Sequence, residues 1–312
     1  MENNKPRSNK FFIIITSVLS ILLVGLISLN IFIYLENEKV VKENVNNKKN
    51  SENSLISLQE LEKTLEEHSK EIADLNNIDE LINLEKEDLF KNTKKLEDAI
   101  KSGKSNKKIA YLTFDDGPYY LTYSVLDVLK KNNVKATFFT IGRGKTSCFD
   151  RSGVDCTLVY KKIADEGHTL ANHTYSHLIW TDIYKSTTNF MNNITRQEEL
   201  IKSKTGVTTN ITRFPGGSAT AGSLKNGIIA KLREKGYGWV DWTAMNGDGG
   251  ELSSTTQAMN TFRNSINENI EVVLLHDYST ITYQTLPDMI KYLKDKGYIL
   301  LPLFYESNMI NK

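Results

Sequence analysis

A chain of 312 residues with 39 basic and 38 acidic side chains, a formal net charge of +1, is long enough for one or two domains with a sizeable core. The near-neutral balance, with no basic stripe interleaved with aromatics, excludes the usual electrostatic footprint of a nucleic-acid-binding protein. The informative signals are therefore local.

The leader, residues 1–10, sets Lys5, Arg7 and Lys10 against Glu2. It precedes FFIIITSVLSILLVGLISLNIFIYL, residues 11–35, which carries no charge and is long enough to cross about 30 Å of hydrocarbon as a helix. A secretory signal has a shorter apolar region ending at a small-residue cleavage site, whereas this run ends at Glu36-Asn37-Glu38. The expectation is a single uncleaved transmembrane helix at the cell membrane. The basic leader leaves the N-terminus cytoplasmic and everything beyond Leu35 outside.

Residues 36–106 are rich in Glu, Lys, Asn and Leu. Leu58, Leu61, Leu65, His68, Ile72 and Leu75 alternate steps of three and four, the stripe of a coiled-coil seam. This predicts a helical stalk that allows, without requiring, a homodimer of two copies. His68 reads as a polar residue tolerated in the seam. Beyond Leu75 the stripe slips, and KSGKSNKK, residues 101–108, reads as a hinge that opens a globular domain over 107–312.

Past the hinge, short apolar runs alternate with amphipathic stretches. IAYLTF, ATFFTIG, TLANH, YGWVDW, EVVLLHD and YILLPL read as strands. LDVLKKNNV, YKKIADEGH, FMNNITRQEELIKSKTG, IIAKLREKG and LPDMIKYLKDKG read as helices. Such alternation predicts an α/β fold with a parallel sheet or barrel. Asp115, Asp116, His173, Asp241 and His276 each follow an apolar strand, and in a parallel barrel the strand ends form the active face. His168 reads as a loop or strand-entry residue. The only two cysteines, Cys148 and Cys156, close one short loop, CFDRSGVDC, compatible with a local disulfide outside the cell or with two free thiols.

In NHTYSH, His173 and His177 are four apart and can turn both imidazoles to one centre. Two histidines with one carboxylate make a common facial metal arrangement with open positions. One of the paired aspartates can then be a ligand and the other a base. Asp-Asp-Gly-Pro alone is ordinary turn chemistry, so the weight lies in the two motifs occurring together.

TFDDGP (113–118), HTYSH (173–177), RFPGG (213–217) and LLHD (274–277) stand in an order and spacing that resemble the polysaccharide deacetylases, the NodB-type domains of carbohydrate esterase family 4, over residues 107–304. The resemblance implies a distorted (β/α) barrel that hydrolyses the acetamide of an N-acetylated sugar. It implies Asp115 as general base, and Asp116, His173 and His177 as ligands of one divalent ion, zinc, with cobalt, nickel or manganese as alternatives. His276 is implied as general acid, Arg213 as the arginine that holds Asp115, and Asp248 as the partner that positions such groups. Pro215, Gly216, Leu275 and Trp242 are the expected substrate contacts, with the Gly216 N–H facing the oxyanion and Leu275 the acetyl methyl. Two positions depart from the family pattern. Gly216 stands where an aromatic usually follows the proline, and Gly249 where a tryptophan usually follows the aspartate, so the apolar wall must come from elsewhere; Trp239 or Trp242 could serve, or either could be core. Tyr119 and Tyr120 could stack on sugar or pack together.

These residue types suit the chemistry. An amide carbonyl is a poor electrophile, so a cation that polarises it and acidifies water lowers both parts of the barrier. Nitrogen leaves only once protonated, which requires an acid opposite the base. The expected activity is N-deacetylation of a cell-wall glycan, most simply N-acetylglucosamine in peptidoglycan. The alternatives are a silent glycan-binding module on a stalk, or a scaffold in which the stalk is the working part.

Overall fold

The computed structural model describes residues 86–142 and 156–305, with Gly25, Leu26, Ser28, Leu29, Asn30, Phe32 and Lys63 as isolated helical positions. The leader, most of the expected span at 11–35, the seam residues Leu58 to Leu75, and the Cys148 and Cys156 side chains lie outside this set. Among the described residues no helix is long and apolar enough to cross a membrane. The chain divides into two compact units, Met1–Asn76 and Asn77–Lys312, and the second carries the fold described below.

Its centre is β1, Lys108–Asp115, buried along all but its first residue. Burial on both faces explains why IAYLTF lacks the alternation of a half-exposed strand. The others are β2 (Thr137–Thr140), β3 (Thr169–Asn172), β4 (Ile211–Thr212), β5 (Gly238–Trp239), β6 (Ala244–Met245), β7 (Ile270–His276) and β8 (Tyr298–Leu300). They form an eight-stranded sheet in the order β5-β4-β3-β2-β1-β7-β6, with β8 also pairing β1. The β1 ladders with β2, β7 and β8 are parallel, as are the remaining pairings. No ladder joins β5 to β6 among the described residues, so the expected barrel is an open, curled sheet.

The helices are α1 (Lys86–Lys101), α2 (Thr122–Lys131), α3 (Cys156–Asp165), α4 (Thr187–Thr205), α5 (Lys225–Glu234), α6 (Thr255–Ser265) and α7 (Thr280–Asp295). Alternate strand residues Leu112, Phe114, Val273 and Leu275 join Leu126, Phe262, Leu286 and Met289 in one apolar cluster. Phe114 stacks on Phe138 at 5.1 Å within it. A second cluster, with Phe190, Ile194, Phe214, Ile228 and Leu232, seats α4 and α5. Opposite residues of the same strands, Thr113, Asp115 and His276, are thereby left to face the site.

Helix α1 lies ahead of the boundary expected at 107. Leu89, Thr93, Leu96, Glu97 and Ile100 are buried at helical spacing, so this helix belongs to the globular unit. Glu97 accepts a hydrogen bond from the Tyr111 hydroxyl, and Phe90 meets Phe304 edge-on at 5.2 Å. The expected hinge is instead an ordered helix end. Gly103 takes φ +71°, and the Lys104 N–H donates back to Ala99 at 2.8 Å, the left-handed cap that glycine favours.

Candidate active site

The β1–β7 register places Asp115 directly beside His276, so the two groups meet because one parallel ladder ends with both. The same register corrects one expected contact. Successive strand residues point to opposite faces, and Leu275 turns into the core, 0% exposed. Leu274, two residues before His276, lines the cleft instead.

Arg213 follows β4 and is fully buried, which a guanidinium tolerates only with its donors satisfied. Its Nη1 donates to Asp115 Oδ1 and Thr113 Oγ1, both at 2.8 Å. Its Nε and Nη2 reach the Val240 and Asp241 carbonyls at 3.2 and 3.0 Å. The Phe139 ring lies 4.2 Å from the guanidinium carbon. Burial pushes the Asp115 carboxyl up to about 6, although Arg213 and His276 pull the other way. A carboxylate so placed is a stronger base than one in water.

His276 is the complementary case. Its Nδ1 meets Asp248 Oδ1 at 2.8 Å, and its backbone N–H donates to Asp248 Oδ2 at 2.8 Å. The Thr282 hydroxyl, from the first turn of α7, also donates to Asp248. Burial lowers the imidazole's pKa, but the hydrogen bond and charge of Asp248, aided by Asp116 and Asp115, outweigh it and raise it to about 9. The ring is therefore protonated near neutral pH, with Nε2 free to donate.

Asp116, His173 and His177 offer ligand atoms within 4.8 Å of one another. His177 Nε2 and His173 Nε2 lie 3.2 and 3.5 Å from Asp116 Oδ1. That oxygen is buried and accepts no hydrogen bond, the state expected of an atom shaped for a cation. His173 Nδ1 sits 2.9 Å from the Arg213 carbonyl. A carbonyl only accepts, so Nδ1 carries the proton and Nε2 presents a lone pair. Burial holds this imidazole's pKa well below its usual value, keeping it neutral. Asp116, Thr174 and His177 have φ of +70°, +67° and +51°, a left-handed backbone that costs roughly 1–2 kcal/mol per residue. The donor set fits one divalent ion.

The cleft above these groups has a volume of about 550 Å³ and is lined further by Gly216, Trp242, Met245 and Tyr278. Of the two tryptophans, Trp242 lines the cleft, while Trp239 packs against the second apolar cluster. Pro215 is not in the cleft: it is buried, and its carbonyl accepts from the Tyr184 hydroxyl at 2.9 Å. Asp241 also stands back from the cleft, accepting from the Ser218 N–H and hydroxyl at 2.8 and 2.6 Å. Tyr119 and Tyr120 pack on each other at 4.6 Å. His168 is structural, its Nδ1 accepting from the Ala136 N–H at 3.0 Å. Leu274 was findable from strand alternation, whereas Thr282 and Tyr278 carried no local sequence signal.

A parallel sheet whose strand ends join a candidate cation-binding Asp-His-His set to an arginine-held aspartate and an aspartate-held histidine has the parts of a metal-assisted hydrolase. A family model described as polysaccharide deacetylase matches residues 102–237. A peptidoglycan-N-acetylglucosamine deacetylase of Bacillus cereus is 32% identical over 198 residues, 62% of this chain and 68% of that protein. The putative polysaccharide deacetylase YheN of Bacillus subtilis is 32% identical over 61% of this chain and 65% of its own length. The crystal structure of the catalytic domain of peptidoglycan N-acetylglucosamine deacetylase from Eubacterium rectale superposes with a TM-score of 0.60, at 32% identity, over 66% of this chain and 93% of that one. The chain belongs to the polysaccharide deacetylase family.

Proposed function

We propose that the protein is a metal-dependent deacetylase of N-acetylglucosamine units in peptidoglycan, held at the outer face of the cell membrane by residues 11–35. The observation that carries the reading is the Asp115–His276 register pair, which sets a base and an acid beside the Asp116, His173 and His177 ligands. The names of the similar Bacillus cereus and Eubacterium rectale proteins support the substrate. The uncharged stretch before Glu36 supports the location.

Each residue has a definite task. Arg213 holds Asp115 in one orientation, and the Asp115 carboxylate takes the proton from an attacking water. Asp116, His173 and His177 would hold a divalent ion, which supplies polarisation of the amide carbonyl and a lowered pKa for nearby water. The Gly216 N–H, a backbone donor independent of side chain, faces the oxygen that gains charge. Protonated His276, steadied by Asp248, gives its Nε2 proton to the nitrogen, so that the amine leaves neutral. Leu274 and Trp242 supply the apolar wall for the acetyl methyl.

The test is acetate release by the full-length protein from N-acetylglucosamine oligomers and from peptidoglycan, with and without chelator, beside Asp116→Ala. Release that chelator and the variant both abolish supports the reading. Folded, zinc-loaded protein that releases no acetate from either substrate overturns it in favour of a silent glycan-binding module.

A further inference from the structure

The loop from His173 to His177 has two of its five residues, Thr174 and His177, in the left-handed region. Something outside the loop must hold it there. Thr174 is tied at the near end, its N–H donating to Asn172 Oδ1 at 2.9 Å. The far end is held differently. The Ser176 N–H donates to Asn193 Oδ1 at 2.9 Å, and the Ser176 hydroxyl donates to Asp182 Oδ2 at 2.8 Å. The same Asp182 oxygen accepts from Asn193 Nδ2 at 3.0 Å. Asn189 Nδ2 reaches Asp182 Oδ1 at 3.3 Å.

Asn189 and Asn193 are one turn apart on α4, and Gln197, a further turn on, donates to Thr140 Oγ1 at 3.0 Å. Asn193 and Gln197 are buried. A polar stripe at this spacing ordinarily faces water, and here it faces the sheet and the loop. Asp182 gathers the stripe and the loop together. Partial burial pushes its carboxyl up, but the hydrogen bonds from Asn193, Ser176 and Asn189, with Lys185, hold its pKa below the usual value. It therefore stays an acceptor of several bonds, and Ser176, Asn189 and Asn193 all donate to that one side chain.

We infer that Asp182, acting through Ser176 and Asn193, is a positioning residue that fixes the strained His177 end of the loop for metal binding. The inference rests on the reading of Asp116, His173 and His177 as ligands. Groups that hold a metal ligand from behind change affinity about 10–100-fold when removed. Such a residue acts before any substrate arrives, so its effect is visible in zinc affinity alone.

The experiment measures zinc dissociation constants of the full-length protein by competition with a chromophoric chelator, together with the melting temperature of the metal-free form. Asp182→Ala is expected to weaken zinc binding about 10–100-fold and leave the metal-free melting temperature within a few degrees. Ser176→Ala, which deletes one hydroxyl and no packing, is expected to weaken it in the same direction. Asp182→Asn, which keeps an acceptor oxygen for Ser176 and Asn193, is expected to recover part of the loss. Unchanged zinc affinity in Asp182→Ala and Ser176→Ala overturns the inference while leaving the metal site standing. So does a loss of affinity that follows a collapse of the metal-free fold in both variants. Wild-type protein that takes up no zinc removes the ligand reading and this inference with it.

Discussion

Two buried histidines sit at opposite ends of one sheet and have opposite character. His276, closing β7, is raised to about 9. His168, entering β3, is lowered to about 3. Both line concave ground, the cleft over the strand ends and a smaller hollow of about 230 Å³ bounded by Thr209 and Leu303. Burial pushes both imidazoles toward neutrality, and the sign of the result is decided by neighbours. His276 has Asp248 in hydrogen-bond contact, with Asp116 and Asp115 nearby. His168 has Lys135 and Lys162 nearby, while its closest carboxylate oxygen, on Glu166, is 3.9 Å away. Concavity and a histidine do not make a reactive site, whereas a directly bonded carboxylate beside a base does.

The largest effect should come from the base itself. Asp115→Asn keeps an acceptor for Arg213 but cannot take a proton, and kcat for acetate release should fall about 10²–10⁴-fold. A variant that retains more than a tenth of wild-type kcat would move the base to another residue.

A smaller change tests the acid's carboxylate. In wild type, activity should rise as Asp115 loses its proton near pH 6 and fall as His276 loses its proton near pH 9. A bound cation adds positive charge beside both groups and pulls both limbs to lower pH. Asp248→Asn removes the charge that holds His276 up. If its pKa returns to about 6.5, the protonated fraction at pH 8, and the rate with it, drops about 30-fold. The alkaline limb should move and the acid limb should stay. An unmoved alkaline limb would show that His276 does not set it.

The difference between these regions was partly legible in the sequence. Asp115, Asp116, His173 and His276 could be read because each follows an apolar run, where a packed strand hands its next residue to the sheet's mouth, and His177 because it stands four residues after His173. Leu275 was misplaced by one residue because an apolar pair within a strand does not reveal which member faces the core, and only the His276 direction fixes the phase. The inward face of α1 was lost in a stretch whose apolar residues fit more than one stripe. Strands of two residues, such as β4 and β5, have no periodicity to read and exist through their backbone pairing. Asn189, Asn193 and Gln197 carried no signal of their own within a stretch that reads only as a helix, since nothing local says that a loop will need their amides.

The smallest effect on catalysis, and the sharpest on folding, belongs to His168. Replacing it with Leu leaves the buried Ala136 N–H without its acceptor, a loss of roughly 1–3 kcal/mol, while both limbs of the rate profile stay in place. The pH dependence of stability should change in a definite direction. Between about pH 3 and pH 6.5, the unfolded chain protonates this imidazole and the folded chain does not, so protonation favours unfolding. Wild-type stability carried by this group is complete above the unfolded value and is lost as pH falls through the window. Asp115 acts oppositely, because its raised folded pKa takes up a proton in the native state first. Wild type therefore contains both trends, and His168→Leu removes one of them. Urea melts at pH 4.5 and pH 7.5 should show the variant losing less stability on acidification than wild type, and an equal loss in both would mean that His168 is already charged in the folded protein at pH 4.5.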